Sequence, residues 1–324
     1  MRKDSRKFSI PYSPYIEAEE YLSLIENYRP FIENIYLGIP QLDNHISLQK
    51  KTNEDMDCNK NTLQLLKRIK TQYKKLITYN SISINEDIDK VLNYFDTTIY
   101  PLIEKYNING FILTNFNLAK KIKTDFPNIE LHTSCNAFQW NIRQMEMWAK
   151  IGVDFFNPPR EAARTPSMLK EMHNAGFKLK VLLNEACIYG CSHMYNHACA
   201  VSEHKNSLST CCNDDLSNAF KTNLFLPRWL DEIDEYCDIY KLSGRSIFYK
   251  QLKNIFDAYI LQKPFTYIHE YATMGKQNPI NILQQRGINI KDTDIPDKLR
   301  YCECKQCKTC NVCNNLLKKS MGEI

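Results

Sequence analysis

Glycine is scarce and never clustered. The 324 residues contain nine, and the nearest two, Gly275 and Gly287, stand twelve positions apart. A dinucleotide-binding turn or a phosphate-cradling loop needs several glycines within roughly six to eight residues, so nicotinamide and ATP sites of those two kinds are excluded. Long apolar runs are missing as well, and none approaches the ~20 residues that span a bilayer. The stretch Met1–Tyr15 is basic and polar and lacks the apolar centre of a secretory signal. The expectation is a cytoplasmic protein with no membrane partner. Neither sign of charge dominates: 42 Lys and Arg against 37 Asp and Glu leave a net +5. That balance permits an anionic substrate or RNA and demands neither. Pro- or Ser-rich linkers and internal repeats are also lacking, which leaves one domain with an extension as the simplest organisation.

Cysteine is abundant. Only Cys58 and Cys135 precede residue 187, while eleven of the thirteen cysteines lie from Cys187 onward. A reducing compartment argues against disulfides, and use of cysteine as a small core residue would not produce this clustering, so metal or cluster ligation is the expectation. Two groups stand out. In the first, Cys187 and Cys191 are separated by three residues, and Cys199, Cys211 and Cys212 follow. The second holds Cys302, Cys304, Cys307, Cys310 and Cys313 within twelve residues. Soft thiolates suit iron–sulfur clusters or zinc. The run Cys191-Ser192-His193-Met194 lacks the further cysteine that a radical S-adenosylmethionine motif would place at position 194. His193 and His197, four apart, are further candidate ligands if they lie on a helix.

Short strand-type runs alternate with helical spacing along the chain. Strands are expected near Lys7–Ile10, Asn34–Gly38, Lys75–Tyr79, Gly110–Asn115, Glu130–Ser134, Val153–Asn157, Lys178–Asn184 and Ile239–Ser243. Leu252, Ile255, Phe256, Tyr259 and Ile260 then mark one face of a helix. Alternation of this kind implies parallel pairing through right-handed crossovers, and eight units close a (β/α)8 TIM-like barrel, with an open doubly wound sheet as the alternative. The expected division is a barrel domain over 1–262 with a cysteine-rich insertion at 186–227. An extension follows over 263–324 and packs across one face of the barrel, with its cysteine cluster at 302–313. The polar segment Lys50–Asn61 is expected to be a loop.

Active sites of parallel barrels form where strands end. The ends offer Asn115, Ser134, Cys135 and Asn136, then Asn157, Arg160 and Glu161, then Asn184, Glu185 and Cys187, and finally Ser243 and Arg245. Arg160 and Arg245 suit a bidentate grip on a carboxylate or phosphate. Asn136 and Glu185 are candidates for positioning and proton transfer.

Several segments resemble the peptidase U32 family. They are Ile35-Tyr36-Leu37-Gly38, then His132-Thr133-Ser134-Cys135-Asn136 with Gly152-Val153-Asp154, the region Cys187 to Cys212, and Tyr240-Lys241-Leu242-Ser243-Gly244-Arg245. The last is similar to the family's "KIEGR" segment, with Ser243 in place of its glutamate. The resemblance implies a barrel bearing a 4Fe-4S cluster on four cysteines, drawn from Cys187, Cys191, one of Cys211 or Cys212, and Cys199, with Cys237 and the carboxy-terminal group as rivals for the fourth place. It further implies oxygen-independent hydroxylation or modification of a small metabolite, a peptide or an RNA base. A heterodimer with a related barrel is another implication. The carboxy-terminal cysteines would hold a second cluster or zinc, or complete the first. Peptidase activity and a zinc-stabilised scaffold are the alternatives. The sequence shows no G-x-S-x-G elbow and no H-E-x-x-H helix.

Overall fold

A computed structural model of the chain describes residues 5–38, 55–69, 71–82, 88–202, 215–273, 278–301 and 309–323. Seven parallel strands form one curled sheet: β1 (Phe8–Pro11), β2 (Ile32–Leu37), β3 (Lys74–Tyr79), β4 (Gly110–Leu113), β5 (Glu130–Thr133), β6 (Lys180–Leu182) and β7 (Ile239–Lys241). Their order is β5-β4-β3-β2-β1-β7-β6. Helices follow the strands: α1 (Ala18–Glu26), α2 (Asp55–Ile69), α3 (Ile88–Tyr94), α4 (Tyr100–Tyr106), α5 (Phe116–Asp125), α6 (Ile142–Ala149) and α7 (Pro166–Asn174). Next come α8 (Met194–Ser202), α9 (Tyr249–Tyr259), α10 (Pro279–Gln285) and α11 (Val312–Met321). No helix among the described residues is long and apolar enough to cross a membrane.

The strand expected at Val153–Asn157 is reduced to two bridging residues. Phe155 bridges His132 of β5 and Phe156 bridges Leu179 beside β6, both in parallel. The reason is local. Asn157 is followed by Pro158 and Pro159, which lack the amide hydrogens a ladder needs. Asn157 supplies side-chain stitches instead: its amide receives Thr133 Oγ1 as acceptor at 2.9 Å, and its Nδ2 donates to the Thr133 carbonyl. The two edges of the sheet are thus joined through a two-residue segment, and the architecture is TIM-like.

Strand side chains alternate between two environments. Ile35, Leu37, Ile77, Phe111, Leu113 and Leu131 join the main core against the helices, whereas Tyr36, Leu76 and Ile112 form a separate small cluster on the inner face of the curl. Polar groups also fill that interior. Ser9 Oγ bonds Asn34 Oδ1 at 2.5 Å, and Lys180 Nζ lies 3.0 Å from His132 Nδ1, whose Nε2 lies 2.5 Å from Glu130 Oε1. Burial pushes the His132 ring down to about 3, so it is neutral, donating to Glu130 and accepting from Lys180. Gly110 opens β4 because nothing larger fits: a Cβ there would stand 2.2 Å from the Glu130 carbonyl oxygen and 2.9 Å from Leu76 Cδ2.

Residues 55–61 within the expected loop are helical, as the first half of α2. Leu65, Leu66 and Ile69 are buried on that helix and carry its polar amino-terminal turns into helical structure. Described residues beyond Lys263 lie against the segment between β6 and β7 and against the turn at Arg164. Arg164 donates to the carbonyls of Thr222 and Leu299, and at 3.4 Å to that of Arg300. Trp229 Nε1 donates to Asp297 at 2.8 Å, and Asn278 Nδ2 to the Ala186 carbonyl at 2.9 Å.

Candidate functional site

Six chain segments deliver polar side chains to the strand ends. Tyr36 comes from β2, Asn80 follows β3, and Cys135 and Asn136 follow β5. Arg160 and Glu161 follow the Phe155–Phe156 bridge, Glu185 and Cys187 follow β6, and Lys241 and Arg245 close β7. Local chemistry fixes each loop. Ser134 caps a short 3-10 turn by accepting from the Asn136 amide, and Pro158-Pro159 stiffens the approach to Arg160. Gly244 has φ +148°, and a Cβ there would stand 2.8 Å from Ile247 Cδ1, so the turn that presents Arg245 requires glycine.

The two arginines are joined by amides. Arg160 Nη2 donates to Asn136 Oδ1 at 2.7 Å, Asn136 Nδ2 to the Asn80 carbonyl at 3.4 Å, and Arg245 Nη2 to Asn80 Oδ1 at 3.5 Å. Glu185 Oε2 lies 3.6 Å from Arg160 Nε, and Cys187 Sγ lies 3.6 Å from Glu185 Oε1. Burial alone would lower the pKa of Arg160, but Cys135, Glu185, Cys187 and Glu161 around it hold it above its ordinary value. Arg245 is lowered by burial and Glu161 is raised by burial. Lys241 is pushed down to about 8 by burial, with Arg245 and Arg160 adding to the effect and Cys135 and Glu185 opposing it. Three cationic side chains against two carboxylates, one of which resists ionisation, make an electropositive group suited to an anion.

Of the residues expected from sequence, Asn136, Arg160, Glu185 and Arg245 come together in one hydrogen-bonded and ion-paired group, with Cys187 beside it. Cys191 precedes α8 and Cys199 lies on it, both half-buried. His193 and His197 face one turn of backbone, since the His197 amide donates to the His193 carbonyl at 2.8 Å. Cys211, Cys212, Cys302, Cys304 and Cys307 lie outside the described residues. Cys310 is half-buried, and Cys313 is buried on α11 against the core. Among the described residues, no three His, Cys, Asp or Glu side chains converge where a metal ion could sit. Cys187 and Cys191 are soft donors on one loop beside the arginine group, which is the chemistry a cluster needs.

Other polar strand-end residues serve the scaffold. Asn115 caps α5 by accepting from Leu118 N, and Asn184 ties Ser243 to Thr273. Lys241, Tyr36 and Asn80 belong to the site and were not among the residues expected there. The signal was the alternation itself, which turns Lys241 and Tyr36 inward at the ends of β7 and β2.

Comparison with known proteins identifies a family. Peptidase family U32 matches residues 21–256. An uncharacterized protease of Methanocaldococcus jannaschii, MJ1657, is 22% identical over 245 residues, covering 71% of this chain and 72% of that protein. The solved structure of the U32 peptidase Mk0906 superposes with a TM-score of 0.52 at 8% identity, covering 74% of this chain and 94% of that one.

Proposed function

The chain belongs to Peptidase family U32, and from that premise we propose that it is an iron–sulfur enzyme of the cytoplasm that modifies an anionic metabolite, peptide or RNA base, by oxygen-independent hydroxylation or a related reaction. The observation that carries this reading is the Arg160–Asn136–Asn80–Arg245 chain at the strand ends, with Glu185 and Cys187 against it. In this reading Cys187 and Cys191, with ligands from Cys199, Cys211 and Cys212, hold a 4Fe-4S cluster; bound there, it would supply one-electron redox chemistry. Cys302, Cys304, Cys307, Cys310 and Cys313 hold a second centre, either cluster or zinc. Arg160 and Arg245 hold the anionic group. Asn136, whose Oδ1 is fixed by Arg160, orients the bound molecule. Glu185, at 3.6 Å from Arg160, exchanges a proton with it.

Anaerobic purification with analysis of iron, sulfide and zinc tests this. The expected outcome is a brown protein with broad visible absorbance bleached by dithionite, and loss of colour and activity together in C187A and C191A. Full activity in either variant overturns the ligand assignment. Colourless protein with zinc and no sulfide removes the redox reading in favour of a zinc-stabilised scaffold.

A peptidase is the second reading, favoured by the names of the two relatives, which call them a protease and a peptidase. Hydrolysis of peptide libraries by metal-free protein would support it over the first.

A further inference from the structure

Lys241 stands apart from the hydrogen-bonded chain of the site. It ends β7, in register with Leu182 of β6 and Ser9 of β1, so its backbone is fixed from both sides. The residue is 6% exposed, and its Nζ lies 4.9 Å from the centre of the Tyr36 ring. Among the described residues its amine makes no hydrogen bond or ion pair. Tyr36 is itself anchored, donating to the Leu242 carbonyl at 2.6 Å. Deeper in the barrel Lys180 is the contrast: it bonds the neutral His132, which donates to Glu130. A buried lysine of purely structural use finds such a partner, because an unpaired buried donor costs free energy. Lys241 has no such partner, and its amine lies over the Tyr36 ring within electrostatic reach of the Arg245 and Arg160 guanidinium groups.

We propose that Lys241 is a nucleophile of this site, capturing the carbonyl carbon of an aldehyde or ketone whose carboxylate or phosphate is held by Arg160 and Arg245. The proposal rests on the anion-binding reading of the arginine pair and adds the reacting group. The amine lone pair adds to the carbonyl carbon, and the carbonyl oxygen takes up a proton to give a carbinolamine. Loss of one water then forms the C=N bond, which is protonated to an iminium. No oxidant or reductant is consumed. The protonated iminium places a cation over the Tyr36 face, where an aromatic ring stabilises it.

The charged and titratable groups around the amine favour this chemistry. Arg245, Arg160 and, from below, Lys180 disfavour its ammonium form, whereas Cys135 and Glu185 favour it. Burial and the cations prevail, and a value of about 8 leaves far more free amine at neutral pH than an ordinary lysine has.

The test uses the whole chain with sodium cyanoborohydride and three probes: pyruvate, dihydroxyacetone phosphate and acetone. Intact mass and peptide mapping should show one reduced adduct per chain, on Lys241, with at least one anionic probe. It should form roughly tenfold faster than with acetone, with a rate that reaches half its maximum near pH 8. K241R, which keeps the cation over Tyr36 but cannot form the imine, should fold and give no adduct. No labelling of the native protein, labelling confined to surface lysines, or K241R labelled at the native rate overturns the proposal. Adduct on Lys241 at equal rates with pyruvate, dihydroxyacetone phosphate and acetone leaves the nucleophile standing and overturns the anion reading.

Discussion

Glu161 shows how a single side chain can be out of balance with its surroundings. It is 3% exposed, and neither carboxylate oxygen makes a hydrogen bond of ordinary geometry. Burial raises its pKa above the usual 4.5, with Arg160 and the Gly190 amide opposing. A carboxyl raised in the folded state stabilises the fold only while protonated. That contribution is complete below about 4.5 and is lost as pH rises through the folded value, so near neutrality the ionised group is a liability. E161Q should therefore be more stable than the native chain near neutral pH by roughly 1–2 kcal/mol, read as a higher unfolding temperature, and the gap should close in acid below 4.5. Equal stability of the two proteins at both extremes would show that the carboxyl has a partner. At this scale the sequence was partly legible. Strand-end polarity pointed to Arg160, Arg245, Asn136 and Glu185, because loops after parallel strands share one rim. It could not separate those four from Asn115 or Asn184, whose side chains cap a helix and tie a loop. Lys241 stayed hidden because a lysine inside an apolar strand announces itself only through the direction in which the pleat turns it.

The elements were the most legible, since periodicity of two against 3.6 needs no tertiary knowledge. Seven of eight expected strands are present, and the eighth failed where two prolines follow Asn157. Residues 55–61 failed for the opposite reason: their polar pattern is that of a loop, and burial further along α2 decides their state. Gly110 carries a prediction at this level. Its alanine variant would drive a methyl into the Glu130 carbonyl of the neighbouring strand at 2.2 Å. Backbone cannot move aside as a side chain does, so G110A should cost about 1–3 kcal/mol and lower the urea midpoint. An unchanged midpoint would show that β4 and β5 are not in the register in which Gly110 pairs with Glu130.

Across the whole molecule, the TIM-like architecture follows from counting alternations, whereas the placement of the described residues after Lys263 does not, because Ile268, Tyr271, Ile280, Leu283, Ile290 and Leu299 join the main core through long-range contacts that no local period announces. Arg164 adds a polar tie, reaching three carbonyls on two distant segments. R164A strands those acceptors and should cost roughly 3 kcal/mol, with new proteolytic cuts confined to 278–301. Cuts spread evenly along the chain would mean that the tail and barrel unfold as one unit.

The two-residue bridge at Phe155–Phe156 also divides the wall of the site into unequal halves. β4 and β5 are held by four residue pairs, and β7 is paired on both sides. The joint between β5 and β6 has one bridge on each side, helped by the Asn157 stitches and by the Phe155 ring stacked on His132. A hoop with one thin link yields at that link, as a clasp does. Arg160 and Glu161 ride on the clasp and Lys241 on the rigid band. The two guanidinium groups of the rim are therefore anchored unequally: Arg160 follows the thin link, whereas Arg245, on the turn after β7, shares the firmly paired band with the amine.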